Sequence, residues 1–182
     1  MRPISKALKN IYELVDSVIL SAVVVLLLFT FVFKIFVVSG SSMNPTLNDM
    51  ERIIVSDVLY TPKRGDIICF YSDQKDEVLV KRVIATEGQV VDIRDGFVYV
   101  DNVKLDEEYI PTIPYTDVKV DTQPSSVIMP HTVEKGCVFV LGDNRFTGKS
   151  LDSRYVDIGD VNRNDIFGRL IFRLYPNFGK VE

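Results

Sequence analysis

Q-V-V-D-I-R-D-G-F-V-Y-V, residues 89–100, decides the fold class. Apolar and polar side chains alternate on both sides of Asp95-Gly96, and alternation of period two is the signature of a half-buried strand. An Asp-Gly pair between two such runs favours the positive φ angles of a tight hairpin turn, so the segment predicts two antiparallel strands. Working outward, similar short runs predict strands at 52–56, 66–71, 78–84, 137–141 and 166–174. Asp101-Asn102 marks a second turn, and Pro62 to Gly65 punctuates the approach to the strand at 66–71. No second long amphipathic pattern follows residue 38. The expected architecture is all-β: a mostly antiparallel sheet or a partly closed barrel. Residues 111–136 carry Pro111, Pro114, Pro124 and Pro130 among many hydroxyl and acidic residues, and predict an insertion with little regular structure.

The first forty residues differ from everything after them. Val18 to Val38 contains a single charge, Lys34, and at about 1.5 Å per residue such a run crosses a hydrocarbon core of roughly 30 Å. It predicts one transmembrane helix. Arg2, Lys6 and Lys9 precede it, and positive flanks favour the cytoplasmic side, so residues 1–17 are expected as a cytoplasmic stub and 39–182 as an extracytoplasmic domain. Lys34 lies near the outer end, where its ammonium can snorkel to the headgroups. A cleaved secretory signal is the competing reading, because Ser-Gly-Ser after Val38 offers small residues at a cut site, although the apolar run exceeds the usual signal core.

The chain of 182 residues has a net charge of -4, with hydrophobic residues making up 47%. That is enough apolar material for one compact domain, and the acidic balance gives no basic footprint for nucleic acid. Cys69 and Cys137 sit in apolar contexts that suit buried strand positions, and a disulfide between them is left open. With one histidine and two scattered cysteines, no protein metal site is expected, and no cofactor motif is present.

Three stretches can carry chemistry. Ser39, Ser41 and Ser42 crowd the exit of the apolar run, as a polar turn or as a source of a nucleophile close to the bilayer. The lone histidine, His131, lies in the proline-rich insertion and suits a solvated surface position better than a catalytic base. A reactive serine would then need another base, and a lysine serves once burial lowers its pKa toward neutrality. Lys81 sits inside the apolar strand V-L-V-K-R-V-I, with Leu79 and Val83 on its face. It is either a base or an ordinary strand lysine whose head reaches water or a carboxylate. Arg82 points the other way and suits a carboxylate pair. Residues 141–154, L-G-D-N-R-F-T-G-K-S-L-D-S-R, are either a solvated loop or a set of Asp and Arg pairs bracing a site.

Together these stretches resemble the type I signal peptidases, specifically the small single-span form of Gram-positive bacteria. The landmarks are S-x-S-M-x-P-T-L in the variant G-S-S-M-N-P-T-L, then R-G-D-I-x-x-F, K-R-V-I, G-D-N-R and S-x-D-S-R, in that order between residues 40 and 154 after a span. The resemblance implies a membrane-anchored serine endopeptidase whose partners are membrane lipid and the signal peptides of exported preproteins, cut after small residues of the Ala-x-Ala type. It implies Ser42 as nucleophile and Lys81 as general base. Ser150 corresponds to a hydroxyl that orients the lysine amine, Asp152 and Arg154 to a structural ion pair, and Asp143 and Arg145 to supporting positions. Phe36, Val38, Met43 and Val80 are implied walls of the substrate pocket. Gly40 stands where some family members place a serine whose hydroxyl serves the oxyanion hole. The chain departs from the family in A-T-E-G-Q at 85–89 and in a longer segment between Arg145 and Ser150, where Ser153 or Thr147 are substitutes for the orienting hydroxyl. Two rivals stay open: a peptidase restricted to pilin or other surface-structure subunits, and a non-catalytic binding or assembly protein on the same fold.

Overall fold

The computed structural model describes residues 6–110, 126–146 and 148–181. The chain divides into two compact units, one ending at Lys34 and one starting at Ile35. In the first, helix α1 runs from Lys6 to Val32, and its stretch Leu8–Val32 is long and apolar enough to cross a membrane, with a mean hydropathy of 2.6. The apolar run read from the sequence as one span to Val38 is shared between two elements. The helix begins earlier, taking in Lys9 and Glu13, and ends at Val32; Lys34–Val37 then extends as strand β1. Composition alone does not separate an apolar helix from an apolar strand that follows it directly.

The second unit contains two open sheets, and they do not close into a barrel. The larger has the order β1-β2-β11-β3-β4-β9-β10, where β2 is Arg52–Ser56, β3 Ile67–Ser72, β4 Glu77–Thr86, β9 Cys137–Leu141, β10 Val161–Asn162 and β11 Ile166–Tyr175. The smaller has the order β7-β6-β5-β8, from Val90–Arg94 (β5), Phe97–Val100 (β6), Val103–Lys104 (β7) and His131–Thr132 (β8). The pairs β2/β11, β11/β3, β3/β4, β4/β9 and β9/β10 are antiparallel, as are the three pairs of the smaller sheet. At the β5–β6 turn, Asp95 and Gly96 have φ of 52° and 79°, the left-handed pair that the hairpin signal requires.

Residues 111–125 of the expected insertion lie outside the described residues. Its remainder is more regular than expected: His131–Thr132 pairs with β5, and Ser126 bridges to Tyr155. Cys69 and Cys137 both occupy strands, buried and unbonded. Between the sheets, Val91, Ile93, Val98 and Val100 pack on Ile84, Phe139 and Leu141. Burying each aliphatic side chain of this kind stabilises by roughly 1.5–3 kcal/mol.

Candidate active site

Ser42 sits in a turn nailed down by apolar anchors on either side. Met43 and Leu47 are fully buried and share a cluster with Val38, Ile53, Val55, Ile67 and Cys69, while Leu47 N–H donates to Met43 O at 2.9 Å. Val38 pairs with the incoming chain through Val38 N–H to Glu51 O, 2.8 Å, and Met50 N–H to Val38 O, 2.9 Å. Gly40 has a φ of +86°, a conformation glycine adopts at little cost, and its N–H donates to Asp49 Oδ1 at 2.8 Å. The Gly40 amide is therefore committed to holding the turn. Phe36 and Val80 pack at the margin of the same cluster, so the four residues implied as pocket walls come together, with Val38 and Met43 almost wholly inside.

Lys81 reaches this turn from the middle of β4. Its side chain is in a residue only 2% exposed, and Nζ lies 2.9 Å from Ser42 Oγ and 2.8 Å from Val80 O. Burial pushes its pKa down from 10.5 to about 8, against the opposing fields of Asp152, Glu77 and Asp143. Desolvation disfavours the charged form, and two of these carboxylates, Asp152 and Asp143, are already engaged by guanidinium groups. Cys69, on the neighbouring strand, is a thiol that burial pushes up to about 12, so it stays protonated and inert.

Two buried ion pairs frame the Ser42–Lys81 contact. Arg82 Nε and Nη2 donate to the two oxygens of Asp143 at 2.9 and 2.7 Å, and Arg82 Nη1 donates to Gly65 O at 3.0 Å. Arg154 forks onto Asp152 at 2.8 and 2.9 Å. Burial opposes the Asp152 charge, but the Arg154 guanidinium, the Ser150 hydroxyl and the Gly142 N–H together hold its carboxyl below the usual carboxylate range. The paired geometry satisfies charges that water no longer reaches.

Asp143, Arg145, Ser150, Asp152, Ser153 and Arg154 of the stretch 141–154 thus pack inward. Ser150 Oγ donates to Asp152 Oδ2 at 2.7 Å and is not among the hydrogen-bond partners of Lys81. Its hydroxyl proton goes to a charged acceptor. Ser153 Oγ accepts from Val140 N–H at 2.9 Å, and Thr147 lies outside the described residues. Arg145 pairs with Glu107, and Asp143 with Arg82. His131, read as a solvated loop residue, is a partly buried strand residue bonded to Asp160 at 2.9 Å.

Three residues without an assigned role also matter to the turn. Thr46 Oγ1 donates to Asp143 Oδ2 at 2.5 Å. Asn144 N–H donates to Ser42 O at 3.0 Å and its Nδ2 to Ser41 O at 2.9 Å. A Cβ added to Gly142 would lie 2.4 Å from Ser42 O and 2.2 Å from Ser150 Oγ, so only glycine lets the loop approach the serine backbone this closely. The signal for Gly142 and Asn144 was their place in G-D-N-R; their contacts depend on distant chain segments that spacing does not reveal.

Comparison with known proteins agrees with this architecture. The sequence model of the family described as signal peptidase, peptidase S26, matches residues 11–175. The chain is 34% identical over 170 residues to a signal peptidase I of Bacillus licheniformis, covering 92% of this chain and 90% of that one. It is 37% identical over 155 residues to a signal peptidase I of Bacillus caldolyticus, covering 80% and 81%. The crystal structure of a signal peptidase I from Enterococcus faecalis V583 superposes with a TM-score of 0.50 at 34% identity, covering 62% of this chain and 98% of that one.

Proposed function

The chain belongs to the peptidase S26 family of signal peptidases, and from that premise we propose that it removes signal peptides from exported preproteins with Ser42 as nucleophile and neutral Lys81 as general base. The observation that carries the assignment is the 2.9 Å separation of Lys81 Nζ and Ser42 Oγ at a buried amine whose pKa is pushed down to about 8. An ammonium has no lone pair. A neutral amine has one, and with an N–H donated to Val80 O the lone pair can face the serine hydroxyl.

The chemistry follows from that geometry. Lys81 takes the proton of Ser42 as Oγ attacks the scissile carbonyl, and the ammonium returns it to the departing amine. An acyl-enzyme forms, and water activated by the same amine hydrolyses it. The developing oxyanion needs a donor already in place. Because the Gly40 amide is occupied by Asp49, the Ser42 N–H is the donor assigned here. Phe36 and Val80, only partly buried, are the pocket walls a substrate side chain meets, and a shallow apolar site of this kind admits small residues. By sequence, nine residues lie between the end of α1 at Val32 and Ser42. With Arg2 in the sequence before α1 and Lys6 and Lys9 in its first turns, the assigned topology has a cytoplasmic N-terminus and an extracytoplasmic peptidase domain.

The test is cleavage of an Ala-x-Ala peptide by the full chain in detergent. Ser42→Ala and Lys81→Ala are expected to abolish turnover, and Lys81→Arg also, since a guanidinium does not give up its proton at accessible pH. His131→Ala should retain it. In wild type, kcat/KM should rise with pH to a plateau through a limb near pH 8, because the amine is active only when deprotonated. Turnover by either alanine variant, or a limb at the value of an ordinary lysine, would exclude the dyad.

A further inference from the structure

The loop that touches Ser42 is gripped from a segment that carries none of the motif residues. After β7, Leu105 N–H donates to Val98 O at 2.8 Å and the Leu105 side chain packs on the core of the smaller sheet. From that footing, residues 105–110 bring two side chains to the two arginines beside the dyad. Glu107 accepts from Arg145 Nη2 at 2.5 Å and from Nη1 at 3.1 Å, with both side chains almost wholly buried. The Tyr109 ring covers the Arg82 guanidinium at 3.8 Å from its centroid, and Tyr109 Oη donates to Glu107 Oε1 at 2.6 Å. The phenol and the carboxylate therefore form one unit with two grips.

Each grip leads to the nucleophile. Arg145 Nε donates to Gly142 O at 2.7 Å, which fixes the loop whose Asn144 holds the backbone carbonyls of Ser41 and Ser42. Arg82 holds Asp143, and Asp143 accepts from Thr46 in the turn that carries Ser42. Resting on the Ser42–Lys81 reading, we propose that Glu107 and Tyr109 are positioning residues for the dyad, clamping Arg145 and Arg82 so that the 142–146 loop and the 43–47 turn keep Ser42 Oγ within proton-transfer reach of Lys81. Removing one partner of a buried, hydrogen-bonded guanidinium leaves its charge uncompensated, so a lost clamp disturbs the loop it holds.

A purely structural pair would also be buried, and the experiment separates the two roles. Glu107→Gln, Tyr109→Leu and Tyr109→Phe are made in the full chain, with the exposed Arg94→Gln as control and Ser42→Ala as reference. Folding is followed by thermal unfolding, and kinetics are measured well below each midpoint. Positioning predicts that folded Glu107→Gln and Tyr109→Leu lose kcat by about tenfold to a hundredfold while KM changes by less than about twofold, and that the ascending pH limb moves. Tyr109→Phe keeps the ring over Arg82 and should retain most of the rate. Folded Glu107→Gln or Tyr109→Leu with wild-type kcat, or a loss that only tracks the unfolded fraction with an unmoved pH profile, would overturn the proposal. If Glu107→Gln does not fold, the Tyr109 pair decides. A dead Ser42→Ala beside a fully active Glu107→Gln removes the positioning role alone, whereas an active Ser42→Ala removes the dyad itself.

Discussion

The smaller sheet packs Val91, Ile93, Val98 and Val100 against Phe139 and Leu141, with a charge pair such as Arg94–Asp92 left at its surface. The larger sheet and the loops on it instead take Lys81, Arg82, Asp143, Arg145, Asp152 and Arg154 out of water. Apolar burial stabilises roughly in proportion to area, whereas buried ion pairs seldom repay their own desolvation. The contrast teaches a division of labour. The smaller sheet contributes apolar burial to the shared core, whereas the larger combines its own apolar clusters with an amine and supporting charges held out of water.

The sharpest way to break that contrast is Asp152→Ala. It strands the Arg154 guanidinium and removes the acceptor of Ser150 Oγ and of Gly142 N–H. Removing one partner of a buried pair costs about 3–5 kcal/mol, and the Gly142 loop beside Ser42 is loosened with it. Denaturant unfolding should show the loss and peptide cleavage should fall in parallel. A variant as stable as wild type would mean that the charges around the dyad are not truly dry.

Lys81→Met has the opposite sign. With a folded pKa of about 8 against 10.5, the unfolded chain binds more protons between those values, so wild-type stability rises with pH across that window. Below pH 8 the penalty for burying the amine is complete, at about 3 kcal/mol. The inactive Lys81→Met chain should therefore be the more stable at pH 7, by at most that amount less about 1 kcal/mol for lost hydrogen bonds. The difference should narrow as pH rises toward 10.5. An unchanged or lower stability at pH 7 would show that the amine bears little desolvation.

How much of this was legible in the sequence follows the same line. Strands 52–56 and 137–141 have the bounds that alternation predicts, and the Asp95-Gly96 turn has the predicted backbone, because these are local properties of the chain. Strand β1 was hidden because Lys34–Val37 continues an apolar run, and β8 and β10 because two residues carry no periodicity. Lys81 stood out as a charge in apolar company. Whether Ser150 reaches Lys81 was left open by the sequence, because spacing does not say which acceptor a hydroxyl takes, here Asp152. Glu107 and Tyr109 gave no signal at all. Their partners lie far along the chain in Arg145 and Arg82, and a ring over a guanidinium has no counterpart in sequence order.

The mildest substitution tests whether the two regions are separable. Ile93 on β5 is nearly buried in the apolar core, and Ile93→Val removes one methylene, which costs about 0.5–1.5 kcal/mol through lost burial and a small cavity. The change removes neither the Leu105 N–H to Val98 O bond, on which the Glu107–Tyr109 segment stands, nor any hydrogen bond of the loop at Ser42. Thermal unfolding should therefore record the loss, while kcat, KM and the pH limb of the folded enzyme stay at wild-type values. A limb displaced by so small a cavity would mean that packing in the smaller sheet is transmitted to the Lys81 amine, and the division of labour between the two sheets would give way to a single coupled core.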